Sequence, residues 1–157
     1  MDDDAARVEL ERLYRQDGGR LWRAVFAWSG DAGVADDAVA EAFAQALARG
    51  NSLHQPLGWI WRVAFRTAAG ELKDRRRREG SSPEGPPAEM PESTADLMAA
   101  LRRLSPNQRG AILLHHYGGH PVKDVARILG STAPAVRVHL STGRKRLRAL
   151  LREDIDA

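Results

Sequence analysis

The chain has 157 residues, 24 Lys and Arg against 21 Asp and Glu, and no Cys. That length holds one ordinary domain or two small ones, and the missing cysteine excludes a disulfide framework and any Cys-ligated zinc or iron–sulfur centre. Apolar runs are too short to cross a bilayer, and the acidic start MDDDAARVELERLY lacks the apolar stretch of a secretory signal, so a cytoplasmic protein with no membrane partner is expected.

The net charge of +3 is unevenly spread. Residues 1–74 carry 9 basic and 12 acidic side chains, residues 75–96 carry 4 and 5, and residues 97–157 carry 11 and 4. The C-terminal third is therefore the candidate polyanion binder, although a solubilising surface would read the same way from charge alone.

Apolar residues recur with helical rather than alternating period, which predicts an all-α protein. Helices are expected near residues 5–16, 18–29, 34–49 and 56–76, then near 94–104, 106–117, 121–129 and 133–152. Between the two sets, four of the eight prolines fall at 83–91 among Ser, Gly and Glu. Such a composition cannot bury apolar area and predicts a flexible Pro-rich linker. The resulting division is a first helical domain at 1–76, a linker at 77–96 and a second helical domain at 97–157.

In segment 34–49, Val39, Phe43, Ala46 and Leu47 follow the i, i+4, i+7, i+8 spacing of a buried stripe. Asp36, Asp37 and Glu41 fall away from it. They read either as charge placed near a positive helix start or as an acidic docking ridge for a basic partner. In segment 56–76, Trp61, Phe65, Ala68 and Leu72 make one apolar face, while Trp59, Arg62, Arg66 and Lys73 make a basic face headed by an aromatic ring. Basic side chains grip phosphates and a ring stacks on an unpaired base, which suits a single strand. The competing reading is an amphipathic core helix whose arginine stems lie over Trp59. Arg75–Arg78 extend the charge, or begin a solvated linker.

Residues 121–145 read as helix, glycine turn, helix. Val125, Ile128 and Leu129 give the first helix its inner face, and Gly130 supplies the stop. Ser131 or Thr132 caps the second helix, where Pro134 is tolerated in the first turn. Val136, Leu140, Leu147 and Leu150 or Leu151 face inward, and Arg137, Ser141, Arg144 and Arg148 line the outside. This is the layout of a helix-turn-helix whose second helix enters the major groove, or of a plain helical hairpin with a charged face.

Taken together, these segments resemble the ECF-type (extracytoplasmic-function) sigma factors of bacterial RNA polymerase, over nearly the whole chain. VADDAVAEAFAQAL looks like the family's acidic polymerase-binding helix, GWIWRVAFRTAAGELKDRRRR like its promoter-melting helix, and residues 104–150 like its C-terminal helix-turn-helix domain. The resemblance implies that Asp36, Asp37 and Glu41 dock on the clamp helices of the β′ subunit of core RNA polymerase. It implies that Trp59, Arg62, Arg66 and Lys73 capture the melted strand of the minus-ten element. It implies that Thr132, Arg137, His139, Ser141 and Arg144 read the minus-thirty-five duplex while the second domain packs on the β flap. The free protein would be autoinhibited or held by an anti-sigma factor. The chain departs from the family pattern at Phe65, Arg66 and Gly70 in the melting helix and at Ala135 and His139 in the reading helix, with Pro121 and Pro134 also atypical.

His115, His116 and His120 approach ligand spacing, but no Glu or Cys completes a metal site, and no phosphate loop or nucleophile elbow occurs. No metal, no cofactor and no enzymatic activity are expected. The alternatives that stay open are a free-standing helix-turn-helix regulator and a helical adaptor that has lost DNA binding.

Overall fold

The structure, a computed structural model, describes residues 3–79 and 92–156. Among them are seven α-helices and no strand: α1 (Asp3–Ser29), α2 (Ala32–Arg49), α3 (Pro56–Glu79), α4 (Glu92–Arg102), α5 (Pro106–Ile112), α6 (Val122–Leu129) and α7 (Ala133–Asp156). A short 3-10 turn, Gly50–Ser52, follows α2, and a π-helical turn, Leu113–Tyr117, follows α5. The fold is all-α, as the periodicity predicts.

Residues 5–29 form part of one 27-residue helix rather than two. Gly18 and Gly19 each cost about 1 kcal/mol in a helix interior, yet Leu10, Leu13, Leu21, Ala24 and Val25 share a buried face that carries the helix through them. Asp17, beside the glycines, accepts a 2.8 Å hydrogen bond from Trp61 Nε1 and ties that stretch to α3.

The start of α2 also differs from expectation. Its N-cap is Asp31, whose Oδ1 accepts from the Val34 N–H at 3.1 Å, and no acidic residue lies in its first turn. Asp36 and Asp37 sit one turn further on, so Asp31 meets the helix-start requirement. The buried stripe is centred on Val34, Ala35, Ala38, Val39, Ala42 and Ala46. Leu47, expected inside, is 52% exposed, and Phe43 is half-buried with its ring edge-on to Tyr14. The alanines let α2 lie close to α1 and α3, which leaves the bulkier Leu47 beyond the edge of the contact.

The segment expected as linker is shorter than 77–96. α3 extends to Glu79 and α4 begins at Glu92, so residues 77–79 and 92–96 are helical; the proline cluster at 83–91 lies outside the described residues. Arg76, Arg77 and Arg78 sit in the last turn of α3, where cations face the negative end of the helix.

The helices on either side of that segment pack against each other. α3 meets α6, and α1 meets α4, α5 and the π turn. Buried residues form one continuous cluster from Leu10 to Leu150. The two lobes therefore stand in a closed arrangement in this structure. Gly118 shows how tight the junction is: an added Cβ there would meet Trp61 Cζ3 at 3.0 Å.

Candidate nucleic-acid and polymerase surfaces

α7 is positioned from its first turn. Gly130 ends α6 in the left-handed region at φ 64°, and Thr132 Oγ1 accepts from the Ala135 N–H at 3.2 Å. Thr132 is therefore the cap, and its hydroxyl is committed to the backbone rather than held out for a ligand. Val136, Leu140 and Leu150 are buried, with Leu147 and Leu151 packed beside them. Gly143 lies on the same face, where an added Cβ would meet Ile112 Cδ1 at 2.9 Å, so α5 and α7 touch closely. That inner face turns Arg137, Ser141 and Arg148 to solvent, with His139 and Arg144 half-exposed between them. Arg144 Nη1 lies 3.2 Å from His116 Nε2, which couples the helix to the π turn. Burial, with His115 and then the Arg144 guanidinium, holds the His116 pKa below its usual 6.5.

α3 presents the expected two faces. Trp61, Phe65 and Ala68 are buried with Ile60 and Ala64, and Leu72 packs at the margin. Arg66 and Lys73 are exposed; Trp59 and Arg62 are half-exposed. The arginine over Trp59 is Arg49 from α2, whose guanidinium carbon stands 5.2 Å from the ring centroid. Arg62 Nε is buried without a hydrogen-bond partner. Trp59 and Arg62 open into a cavity of about 290 Å³ whose far wall is α6, through Asp124, Arg127 and Ile128, with His120 alongside. In the closed arrangement these two residues therefore face the second lobe.

His120 caps this region. Its ring lies edge-on to Trp61 with centroids 4.7 Å apart, its carbonyl meets His115 Nδ1 at 2.9 Å, and its Nε2 is buried without a partner. Burial holds its pKa below 6.5, with Arg20 adding to the effect and Asp124 and Asp17 opposing it. The close approach of Arg144 to His116 and the bond from His115 show these nitrogens serving packing.

The acidic ridge stands on the outside of α2. Asp36, Asp37 and Glu41 are all exposed. Asp36 accepts from Trp22 Nε1 at 2.7 Å and Glu41 from Gln45 at 2.7 Å. Asp37 lies against Glu71 of α3, whose carboxyl is held above its usual range by burial and by Asp37, with Arg75 acting the other way.

The two lobes are joined through arginines that no periodicity marks. Arg20 Nε donates to the Tyr117 carbonyl at 3.1 Å, and Arg23 Nε to the Tyr117 hydroxyl at 2.8 Å. Arg102 donates to the Gly30 carbonyl at 3.1 Å. Arg109 bonds four carbonyls, those of Trp28 (2.6 Å), Leu101 (2.9 Å), Leu104 (3.0 Å) and Arg102 (3.2 Å), and Trp28 Nε1 donates in return to the Pro106 carbonyl at 3.1 Å. Most of these acceptors are backbone carbonyls, which every residue carries, so pattern reading could not find them.

Residues 94–147 match the family model described as Sigma-70, region 4. The ECF RNA polymerase sigma factor EcfG of Rhodopseudomonas palustris is 32% identical over 139 residues, covering 80% of this chain and 76% of that protein. The chain belongs to the ECF sigma factor family. SigE of Mycolicibacterium smegmatis is 30% identical over 95% of this chain, and SigL of Mycobacterium tuberculosis 27% over 95%. The chain spans 64%, 36% and 60% of the length of three of its curated relatives, SigE, the probable sigma factor RfaY of Xanthomonas campestris and BldN of Streptomyces coelicolor. Among solved structures, the fold of this ECF family member matches the sigma factor RpoE of Bartonella quintana, solved with the anti-sigma factor NepR, at a TM-score of 0.79 and 22% identity over 92% of this chain and 97% of that one. It matches CnrH, solved with the cytosolic domain of CnrY, at 0.72 and 20% over 97% and 93%.

Proposed function

We propose that the chain binds core RNA polymerase and directs promoter-specific transcription initiation, catalysing no reaction of its own. The reading is carried by three chemically distinct faces on one sigma-type fold: an exposed acidic ridge, a helix with Trp59 among arginines, and an exposed basic helix-turn-helix. A free-standing regulator needs only the third, and an adaptor needs no DNA-reading face.

On this reading, residues 1–76 form the polymerase- and minus-ten-binding domain and 97–157 the minus-thirty-five-binding domain. Asp36, Asp37 and Glu41 meet the β′ clamp helices, and the second domain rests on the β flap. Arg62 and Arg66 hold phosphates of the melted strand while Trp59 takes an unpaired base, an interaction of about 1–3 kcal/mol per base. Arg137, His139, Ser141 and Arg144 face the major groove on a helix capped by Thr132, and Lys73 adds its charge beside the melted strand. Trp59 and Arg62 face α6 in the closed form, so strand capture requires the lobes to part; the closed form is the resting, autoinhibited one. An anti-sigma factor, as RpoE carries in its solved complex, would act on the same junction. No described helix is long and apolar enough to cross a membrane, and a partnership with polymerase puts the protein in the cytoplasm.

Purified core polymerase tests this directly. A stable complex and a transcript that depends on both polymerase and promoter are expected. Duplex binding without polymerase would support a regulator, and neither activity would support an adaptor. Asp37→Arg is the sharpest variant. It sets a cation beside Glu71, so the fold is preserved by circular dichroism while polymerase docking falls; docking that survives would remove the ridge from the interface.

A further inference from the structure

The charge run at the end of α3 has a role that promoter binding does not absorb. Arg76 and Arg77 line, with Lys73, one wall of a cleft of about 410 Å³; Pro106 and Arg109 from the second lobe make the opposite wall, and Trp28 forms the floor. Four cationic side chains thus converge on one concavity lined by no carboxylate. Among the described residues, no ion pair is formed by Lys73, Arg76, Arg77 or Arg109. Arg109 is half-buried and spends its donors on neutral carbonyls, so its charge stays uncompensated. Burial and the like charges of Arg102 and Arg76 lower its pKa. Gathering like charges within about one Debye length, ~10 Å, costs free energy that a bound multivalent anion recovers.

We propose that this interlobe cleft binds a small anion carrying two or more phosphate groups, and that occupancy holds the lobes closed. The volume falls within the range of small-ligand sites, roughly 300–1,000 Å³, and is too narrow for a duplex. Guanidinium groups match phosphate oxygens in pairs. Arg76 and Arg77 are exposed and free to turn inward, while Arg109 supplies a fixed positive field from the other lobe. A ligand gripped from both walls binds the closed form better than the open one and stabilises it by mass action. The proposal concerns the chain without polymerase, so its failure leaves the initiation reading standing.

The test is calorimetric titration of the full chain with sodium triphosphate, and with sulfate at matched ionic strength. Saturable one-to-one triphosphate binding is expected, accompanied by a rise in Tm that sulfate does not reproduce. Arg76→Gln/Arg77→Gln should weaken binding by about tenfold or more, equivalent to the loss of at least one charge-assisted contact. Arg148→Gln/Arg152→Gln, which removes two exposed charges from α7, should leave it unchanged. ATP in place of triphosphate separates the two sources of phosphate. Tighter ATP binding assigns a nucleotide seated against Leu72 and Trp28, and equal binding assigns the phosphates alone; both uphold the site. Absence of saturable binding overturns the proposal. So does an equal loss in both double variants, or a bound single-stranded oligonucleotide that triphosphate cannot displace.

Discussion

Asp31 uses one carboxylate twice. Oδ1 caps α2 through the Val34 N–H, and Oδ2 pairs with Arg75 of α3, while the residue itself is only 6% exposed. Asp31→Asn keeps an acceptor for the cap and loses the ion pair; Asp31→Ala loses both. The alanine variant should be destabilised by about 1–2 kcal/mol and the asparagine variant by less, read as a lower urea midpoint. Gly70 offers the opposite case. It is exposed within α3 with nothing within 4 Å of a built Cβ, so Gly70→Ala should stabilise by about 0.5–1 kcal/mol and raise Tm. Local chemistry of this kind reads well from sequence at Gly130 and Thr132, where turn and cap requirements are set within four residues. Asp31 escaped notice because its partner Arg75 is 44 residues away.

Helix existence was legible throughout, because the 3.6 period of α2, α3, α6 and α7 is carried by many residues at once. Extents were less so. Glycine pairs mark breaks only when tertiary packing does not override them, and the Leu10–Val25 face of α1 does. Leu47 stays exposed because an alanine-rich helix buries its small residues; volume, rather than hydropathy alone, chooses the buried face. For α7, periodicity assigns side chains to the helix but does not show their commitments. Arg137 and Ser141 are free on the outside of α7, Thr132 is spent on its cap, and Arg144 is shared with His116. Arg144→Ala should weaken duplex binding and reduce the salt slope by about one. An unchanged slope in binding assays at graded salt would place Arg144 with the π turn rather than with DNA.

At the scale of the molecule, closure was invisible in the residue pattern. Its contacts run from α1 to α5 and from α3 to α6, across the whole length of the chain. It also introduces a pH response. His120 is packed between Trp61 and α6 with its pKa below 6.5, facing Asp17 and Arg20 of α1, Asp124 of α6, Arg62 of α3 and the neighbouring His115 and His116. The unfolded chain then binds more protons than the folded one below about pH 6.5, so stability is complete above that value and declines as pH falls through it. His116 contributes in the same direction. His120→Phe should flatten the loss of Tm between about pH 7 and 5. A slope identical to that of the parent chain would assign the response to other groups.

The junction itself is written asymmetrically. Arg20, Arg102 and Arg109 supply side chains, whereas Tyr117, Gly30 and Trp28 supply peptide oxygens across it. Replacing Tyr117 with another residue that fits leaves this acceptor in place, since the oxygen belongs to the main chain. Such an acceptor survives any side-chain change that keeps the fold, whereas each arginine contact is lost with a single substitution.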